Sequence, residues 1–226
     1  MSLPQLVLFA DRHYDAFPGR TQAALLRPLC ELTYIEEDYP ALITALEARP
    51  RAIFAVNAIA GTPGNLTLPP ELESPLRTRL EAGAPLWVLH GGSAAFWPWA
   101  WWRRLMPLRW VRNGDPDGVP ASTHPVVPLL LTPTAFARER LPELAEVALP
   151  TDENYIKLAE HYPFQTWLTT SHEGVVYPQA YSAVTPRGGA LHGFIPGHTP
   201  ESLAHPDYAK TFTTLAAHWL KAQAGS

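Results

Sequence analysis

Four stretches of the chain carry residue types that can do chemistry. The first is His90-Gly91-Gly92, which follows directly on the apolar run Leu86–Leu89. A strand that turns through glycines into a helix presents its corner side chain at the sheet edge, as in a nucleophile elbow. Free amides and the helix dipole at such a corner favour an anion or a developing oxyanion and keep an imidazole neutral. The corner residue here is His, and neither Ser nor Cys stands in its place, so the usual acyl-enzyme chemistry has no nucleophile. The competing reading is a buried histidine bonded to a neighbouring carbonyl. The second stretch is Asp152-Glu153-Asn154-Tyr155. Two adjacent carboxylates cannot face one point, so one is expected to bind backbone amides or an Arg while the other faces a site. Glu153 near a neutral imidazole is a candidate general base, and Tyr155 a candidate catalytic partner. The same four residues also read as an N-capping cluster for a helix over 153–161.

His124, in Thr123-His124-Pro125, and His198, in Pro196-Gly197-His198, complete the group. His90, His124, Glu153 and His198 together form a candidate His/carboxylate set for a divalent metal such as zinc, although no short ligand spacing of the H-E-x-x-H kind is present. Further candidates are aromatic. Phe96, Trp97, Trp99, Trp101 and Trp102 crowd one short stretch, and helical residues 100° apart cannot all enter one core. Some, Trp97 among them, are expected to face a ligand cleft or another subunit. Trp167 and Tyr181 are candidates for a platform against a sugar face.

These residues need a scaffold. Gln5–Ala10, Glu31–Glu36, 52–56 and Leu86–Leu89 read as short strands, alternating with helices over 20–30, 39–48 and 71–82 whose leucines recur at helical spacing. Strands of about five residues separated by helices of about ten argue for right-handed βαβ units and a parallel sheet. Beyond Leu89 we expect a Trp-rich helix over 91–104, loop over 107–135 and a short helix around 134–146. Strands follow at 164–170, Val175–Val184 and 190–195, and a closing helix at 206–222 with a frayed tail after it. The short turns between those last strands force antiparallel neighbours, so the sheet should be mixed. In an open α/β sheet, ligands bind beyond the carboxyl ends of the strands. That edge collects His13 after the first strand, Asn57 after the third and His90 after the fourth, with Glu153 and His198 further on. His13, Asn57 and His124 are therefore expected to bind substrate.

Composition narrows the rest. The 226 residues are 46% hydrophobic and 17% charged, against about 25% charged in average usage, which is a globular composition. The 25 prolines should shorten helices and enrich loops. A formal charge of −4 with no basic block speaks against nucleic acid and anionic membrane. The uncharged runs 82–102 and 118–137 are interrupted by Pro and Gly and do not read as spanning helices. The N-terminus has no basic region before an early Asp11, and the single Cys30 allows no internal disulfide, so a cytoplasmic protein is expected.

The order of several of these motifs resembles the ThuA-like (trehalose utilisation) family. The resemblance is carried by 85–96 (PLWVLHGGSAAF), Thr123-His124-Pro125, Asp152-Glu153-Asn154-Tyr155, 164–167 (FQTW) and 189–198 (GALHGFIPGH). It covers roughly 85–222 and extends to the N-terminal half only by pattern. It implies one domain over 1–226 with a flavodoxin-like fold: a three-layer α/β sandwich around a mixed, mainly parallel sheet, as in class I glutamine amidotransferases but without their catalytic Cys. It further implies a role in the catabolism of a trehalose-type disaccharide or keto-sugar, often alongside a nicotinamide-dependent sugar oxidoreductase. His90, His124, Glu153, Tyr155 and His198 are the positions it marks. The stretch 134–142 (TAFARERLP) lacks the second His-Pro common in the family, and Ala190 stands where an Arg is common, so sugar specificity does not transfer.

Two functions follow as expectations. In the first, Glu153 or His90 removes a proton next to a sugar carbonyl, and the elbow amides, His198 or a metal stabilise the enolate. In the second, the chain is a non-catalytic sugar-binding or assembly subunit that holds an oxidoreductase through its Trp-rich segment. The aromatic excess also points to a homodimer.

Overall fold

The computed structural model describes residues 3–12, 17–62 and 64–224. Its first half is the expected alternation: β1 (Gln5–Ala10), α1 (Pro18–Leu26), β2 (Glu31–Glu36), α2 (Tyr39–Ala48), β3 (Ile53–Asn57), α3 (Pro70–Glu81) and β4 (Leu86–Leu89). Prolines gather at the helix starts, where their missing N–H costs nothing: Pro18, Pro40 and Pro70 each occupy a first or second helical position. Asp38 adds a side-chain cap to α2 by accepting from the Ala41 amide at 2.9 Å.

After β4 a 3-10 turn spans His90–Ala94, followed by α4 (Ala100–Leu105), β5 (Leu108–Arg109), β6 (Val126–Pro133), α5 (Ala135–Arg140), β7 (Val147–Glu153) and β8 (Ala159–Glu160). The chain closes with β9 (Gln165–His172), β10 (Val175–Val184), β11 (Ala190–Phe194), α6 (Pro200–Ala204) and α7 (Pro206–Ala224).

Nine strands form one sheet in the order β2-β1-β3-β4-β11-β10-β9-β6-β7. β2 through β11 in that order run parallel, and the remaining four are antiparallel to their neighbours. Side chains alternate between two cores, as the period of a strand requires. Val7, Phe9, Phe54, Val56, Leu86 and Val88 pack under α2, α3 and the aromatic segment. Leu6, Leu8, Ile53, Ala55, Trp87 and Leu89 pack under α1 and α7. The result is an α/β sandwich whose central strands are buried on both faces. Among the described residues no helix is long and apolar enough to cross a membrane.

Four expectations are corrected. The aromatic segment is not one helix: Pro98 pushes its predecessor out of helical geometry, Phe96 adopts a positive φ of 52°, and only Ala100–Leu105 is α-helical. The stretch over 107–135 contains β6, a full strand of the sheet, whose Pro128 sits at a register shift opposite β7 where a missing amide is tolerated. No helix follows Asp152: Glu153 ends β7, and the Asp152 carboxylate is engaged elsewhere. The closing helix continues through 222–224 instead of fraying, and 225–226 lie outside the described residues.

Candidate active site

The corner after β4 has the backbone of an elbow. His90 is held at φ 44°, in the left-handed region that a side chain normally avoids. Gly92 lies so close to β3 that a Cβ there would collide with the Val56 carbonyl. The turn therefore needs glycine at 92 and thrusts the imidazole at 90 across the carboxyl edge of the sheet.

His90 donates from Nδ1 to the Ile195 carbonyl at 2.8 Å. A carbonyl only accepts, so the proton sits on Nδ1 and the Nε2 lone pair faces the site. Around that lone pair stand Tyr155 Oη at 3.2 Å, His198 Nδ1 at 3.3 Å and Glu153 Oε2 at 3.6 Å. The carbonyl-bonded reading of His90 thus holds for Nδ1, while Nε2 faces the other groups of the candidate site.

The paired carboxylates divide their work because adjacent strand residues point to opposite sides. Asp152 accepts from the amides of Gly197 at 2.7 Å, His198 at 2.8 Å and Glu153 at 2.9 Å. It fixes the turn that carries His198. Glu153 faces the histidines: Oε2 lies 3.3 Å from His198 Nδ1 and Oε1 lies 2.9 Å from His124 Nδ1. His124 is held there by backbone pairing on both sides, Thr123 with Ile156 and Asn154 with the Pro125 carbonyl.

Burial sets the protonation states. It pushes the Glu153 carboxyl up to about 7, with the Asp152 charge adding to the rise and a Tyr155 hydrogen bond opposing it. Burial pulls the His90 imidazole down to about 4 and the His198 imidazole to about 4, the latter with help from His90. His124, with a half-exposed side chain, is lowered by burial too. Near neutral pH the site therefore holds neutral imidazoles around a carboxyl group poised to gain or lose a proton.

Above Glu153, His124 and Tyr155 opens a cleft of about 620 Å³. Its far wall comes from the irregular segment after β5. Trp110 lies with its ring centroid 4.5 Å from that of Tyr155 and 4.9 Å from that of His124. That segment is tied down by ion pairs in which Arg109 meets Asp115 at 2.6 Å and Arg103 meets Asp117 at 2.7 Å. Trp110 and its neighbours Arg112 and Asn113 were not among the expected site residues. They lie in an irregular loop with no periodicity to mark a face, and only the adjacent His124 signalled that this loop reaches the site.

The structure thus brings His90, His124, Glu153, Tyr155 and His198 together and leaves other candidates out. Asn57 is fully buried and donates to Gln22 Oε1 at 2.8 Å, which ties β3 to α1. Trp167 packs in the α7-side core and donates to Ser182 Oγ at 2.6 Å. Tyr181 is 1% exposed and bonds the Leu108 carbonyl. Trp97 is half-buried beside the Arg109 guanidinium, with its ring 5.7 Å away. For these four, strand alternation or loop packing turns the side chain away from the cleft. His13 lies outside the described residues.

No protein-family model matches the sequence, and no curated protein matches it either. Solved structures do. A ThuA-like protein from Parabacteroides merdae superposes with a TM-score of 0.72 over 100% of this chain and 91% of its own, at 11% identity. Agd3, described as a novel carbohydrate deacetylase, superposes with a TM-score of 0.54 over 95% of this chain, at 14% identity. This chain corresponds to 33% of Agd3. The superposition over the whole of this chain shows that it shares the fold of that ThuA-like protein.

Proposed function

We propose that the chain is a carbohydrate-processing enzyme acting on an oxidised or keto-sugar, with Glu153 as its proton-transfer group. The observation that carries this reading is the placement of Glu153 at the foot of the cleft, its two oxygens within 2.9–3.6 Å of nitrogens from His124, His198 and His90. A carboxyl group that titrates near neutrality suits removal of a proton from carbon next to a sugar carbonyl, because it is both available as base and able to return the proton. The Nε2 of His90 cannot donate while Nδ1 holds the proton, so His90 serves as acceptor or ligand. The Tyr155 hydroxyl and the amides after the corner are the donors for a developing enolate oxygen. The carbohydrate deacetylase among the fold neighbours supports a sugar substrate, and the ThuA-like neighbour agrees with the resemblance from which the keto-sugar reading comes.

The donor set also fits a divalent cation such as zinc. One ligand atom each from His90, Glu153 and His198 lies within 4.8 Å of the other two. Neutral imidazoles with a carboxylate are ordinary zinc ligands, and the Nδ1–H bond of His90 to the Ile195 carbonyl is the usual support that orients a ligating histidine. A bound cation would supply Lewis acidity at a substrate oxygen. His124, on the other oxygen of Glu153, would orient that carboxylate. The assembly-subunit alternative has less to rest on, because Phe96, Trp99 and Trp102 of the aromatic segment are spent on the core.

The test is deuterium exchange. In heavy water the protein should introduce deuterium next to the carbonyl of a keto-glucoside, followed by NMR, and Glu153→Gln should abolish it. Exchange that is equal in both proteins, or absent in the wild type, would overturn the reading. Metal content of untagged protein purified without chelators, compared with His90→Ala, decides the cation separately: near-stoichiometric metal lost in the variant establishes it.

A further inference from the structure

The far wall of the cleft carries a cation that the proton-transfer chemistry does not use. The segment 103–117 contains four arginines: 103, 104, 109 and 112. Its two acidic residues are already committed. Asp117 pairs with Arg103 through two bonds of 2.7 and 3.0 Å, and Asp115 pairs with Arg109 through two of 2.6 and 3.2 Å. Arg104 points to solvent from α4. Arg112 is half-buried, lines the same cleft as Glu153, and has no carboxylate partner among the described residues. Among the described residues the ion-pair partners of Glu153 are all histidines, so the cleft keeps a proton-transfer end and a cationic end apart.

The backbone around Arg112 is built, not loose. The Val111 amide donates to Ser122 Oγ at 3.0 Å, the Ser122 amide returns to the Val111 carbonyl at 2.8 Å, and Ser122 Oγ donates to the Lys157 carbonyl at 3.1 Å. On the other side the Trp110 amide donates to Ser93 Oγ at 3.2 Å. A guanidinium held part-way out of water without a counter-charge is attracted to an anion that enters, and its planar fork matches a carboxylate or a phosphate through two parallel bonds.

We infer that Arg112 is the specificity-determining residue of this cleft and that the sugar it accepts carries an anionic group, a carboxylate or a phosphate, bound by Arg112 while Trp110 covers the ring. This rests on the carbohydrate reading of the site and narrows it from keto-sugars in general to charged ones. Asn113, beside Arg112 in the cleft lining, supplies an amide for a neighbouring hydroxyl.

Titration of tryptophan fluorescence with glucuronate, glucose 6-phosphate and glucose tests it. At least one of the anionic sugars should bind ten-fold or more tightly than glucose, and which one does so separates a carboxylate site from a phosphate site. Arg112→Gln should erase the preference, so that charged and neutral sugars bind alike. Arg112→Lys should restore part of it, and Arg104→Gln should retain it in full. Equal binding of charged and neutral sugars by the wild type, or an undiminished preference in Arg112→Gln, overturns the inference and leaves the carbohydrate reading standing. No binding of any of the three overturns the inference together with that reading.

Discussion

His90 and His192 invite comparison, since one follows β4 and the other lies on the neighbouring β11, and they are 2% and 8% exposed. Burial lowers both imidazoles, His90 to about 4 and His192 to about 3. Their surroundings differ. His192 stacks on Trp219 with ring centroids 4.7 Å apart, meets Trp87 edge-on, and bonds Ser182 Oγ at 2.7 Å. Ser182 in turn receives the Trp167 indole N–H, so the hydroxyl joins the two rings at the margin of the core. His90 also spends one nitrogen on structure, but its other nitrogen looks toward a carboxyl group, a phenol and a second imidazole at the foot of a cleft. Desolvation alone therefore does not tell the two histidines apart. The distinguishing feature is a ring whose second edge faces groups able to exchange protons or share a ligand.

The largest expected effect lies in activity. Glu153→Gln should lower the deuterium-exchange rate by about 10²–10⁴-fold, the range for loss of a general acid–base group. His192→Phe, which keeps the stacking on Trp219, should change that rate by less than about 3-fold, well short of the acid–base range. A comparable loss in both would collapse the distinction between the two histidines.

Stability should show the reverse ranking. His192→Ala removes a stacked, hydrogen-bonded ring from the core and should cost about 2–3 kcal/mol by urea unfolding at pH 7.5. A cost below about 0.5 kcal/mol, the level of an ordinary surface substitution, would show that His192 is not a core element.

The dependence of stability on pH sharpens the comparison further. The folded-state value of His192 lies below its unfolded value of 6.5, so the unfolded chain takes up a proton first on acidification. Stability is therefore lost as pH falls from 6.5 toward 3, by up to about 1.4 kcal/mol per unit from this residue. His218 lies close enough to oppose the charge on His192 further. His192→Phe should flatten the dependence of unfolding free energy on pH between 6 and 4, measured against wild type so that contributions from other groups cancel. Parallel curves would mean that His192 is protonated in the folded state.

What the sequence disclosed follows the range of the forces involved. The corner at His90 was legible because it is local: an apolar strand, two glycines and the geometry that only they permit. The division between Asp152 and Glu153 was legible because neighbouring carboxylates on an extended chain must diverge. The β-strand at Val126–Pro133 was not, since its prolines mask a pattern that sheet neighbours restore. Nor was the inward turn of Asn57, which depends on Gln22, 35 positions away. Trp110 and Arg112 escaped for a related reason. Their loop is placed by arginine–aspartate pairs whose meeting no periodicity announces.

The position of β11 has a consequence for how the molecule is made. It inserts between β4 and β10, although about a hundred residues of chain separate it from β4. During synthesis, β1 to β4 leave the ribosome well before 190–194, so the apolar Leu86–Leu89 waits as an unpaired strand edge. A chain arrested between those points would carry the corner and its histidine but present a sticky border where its middle should be.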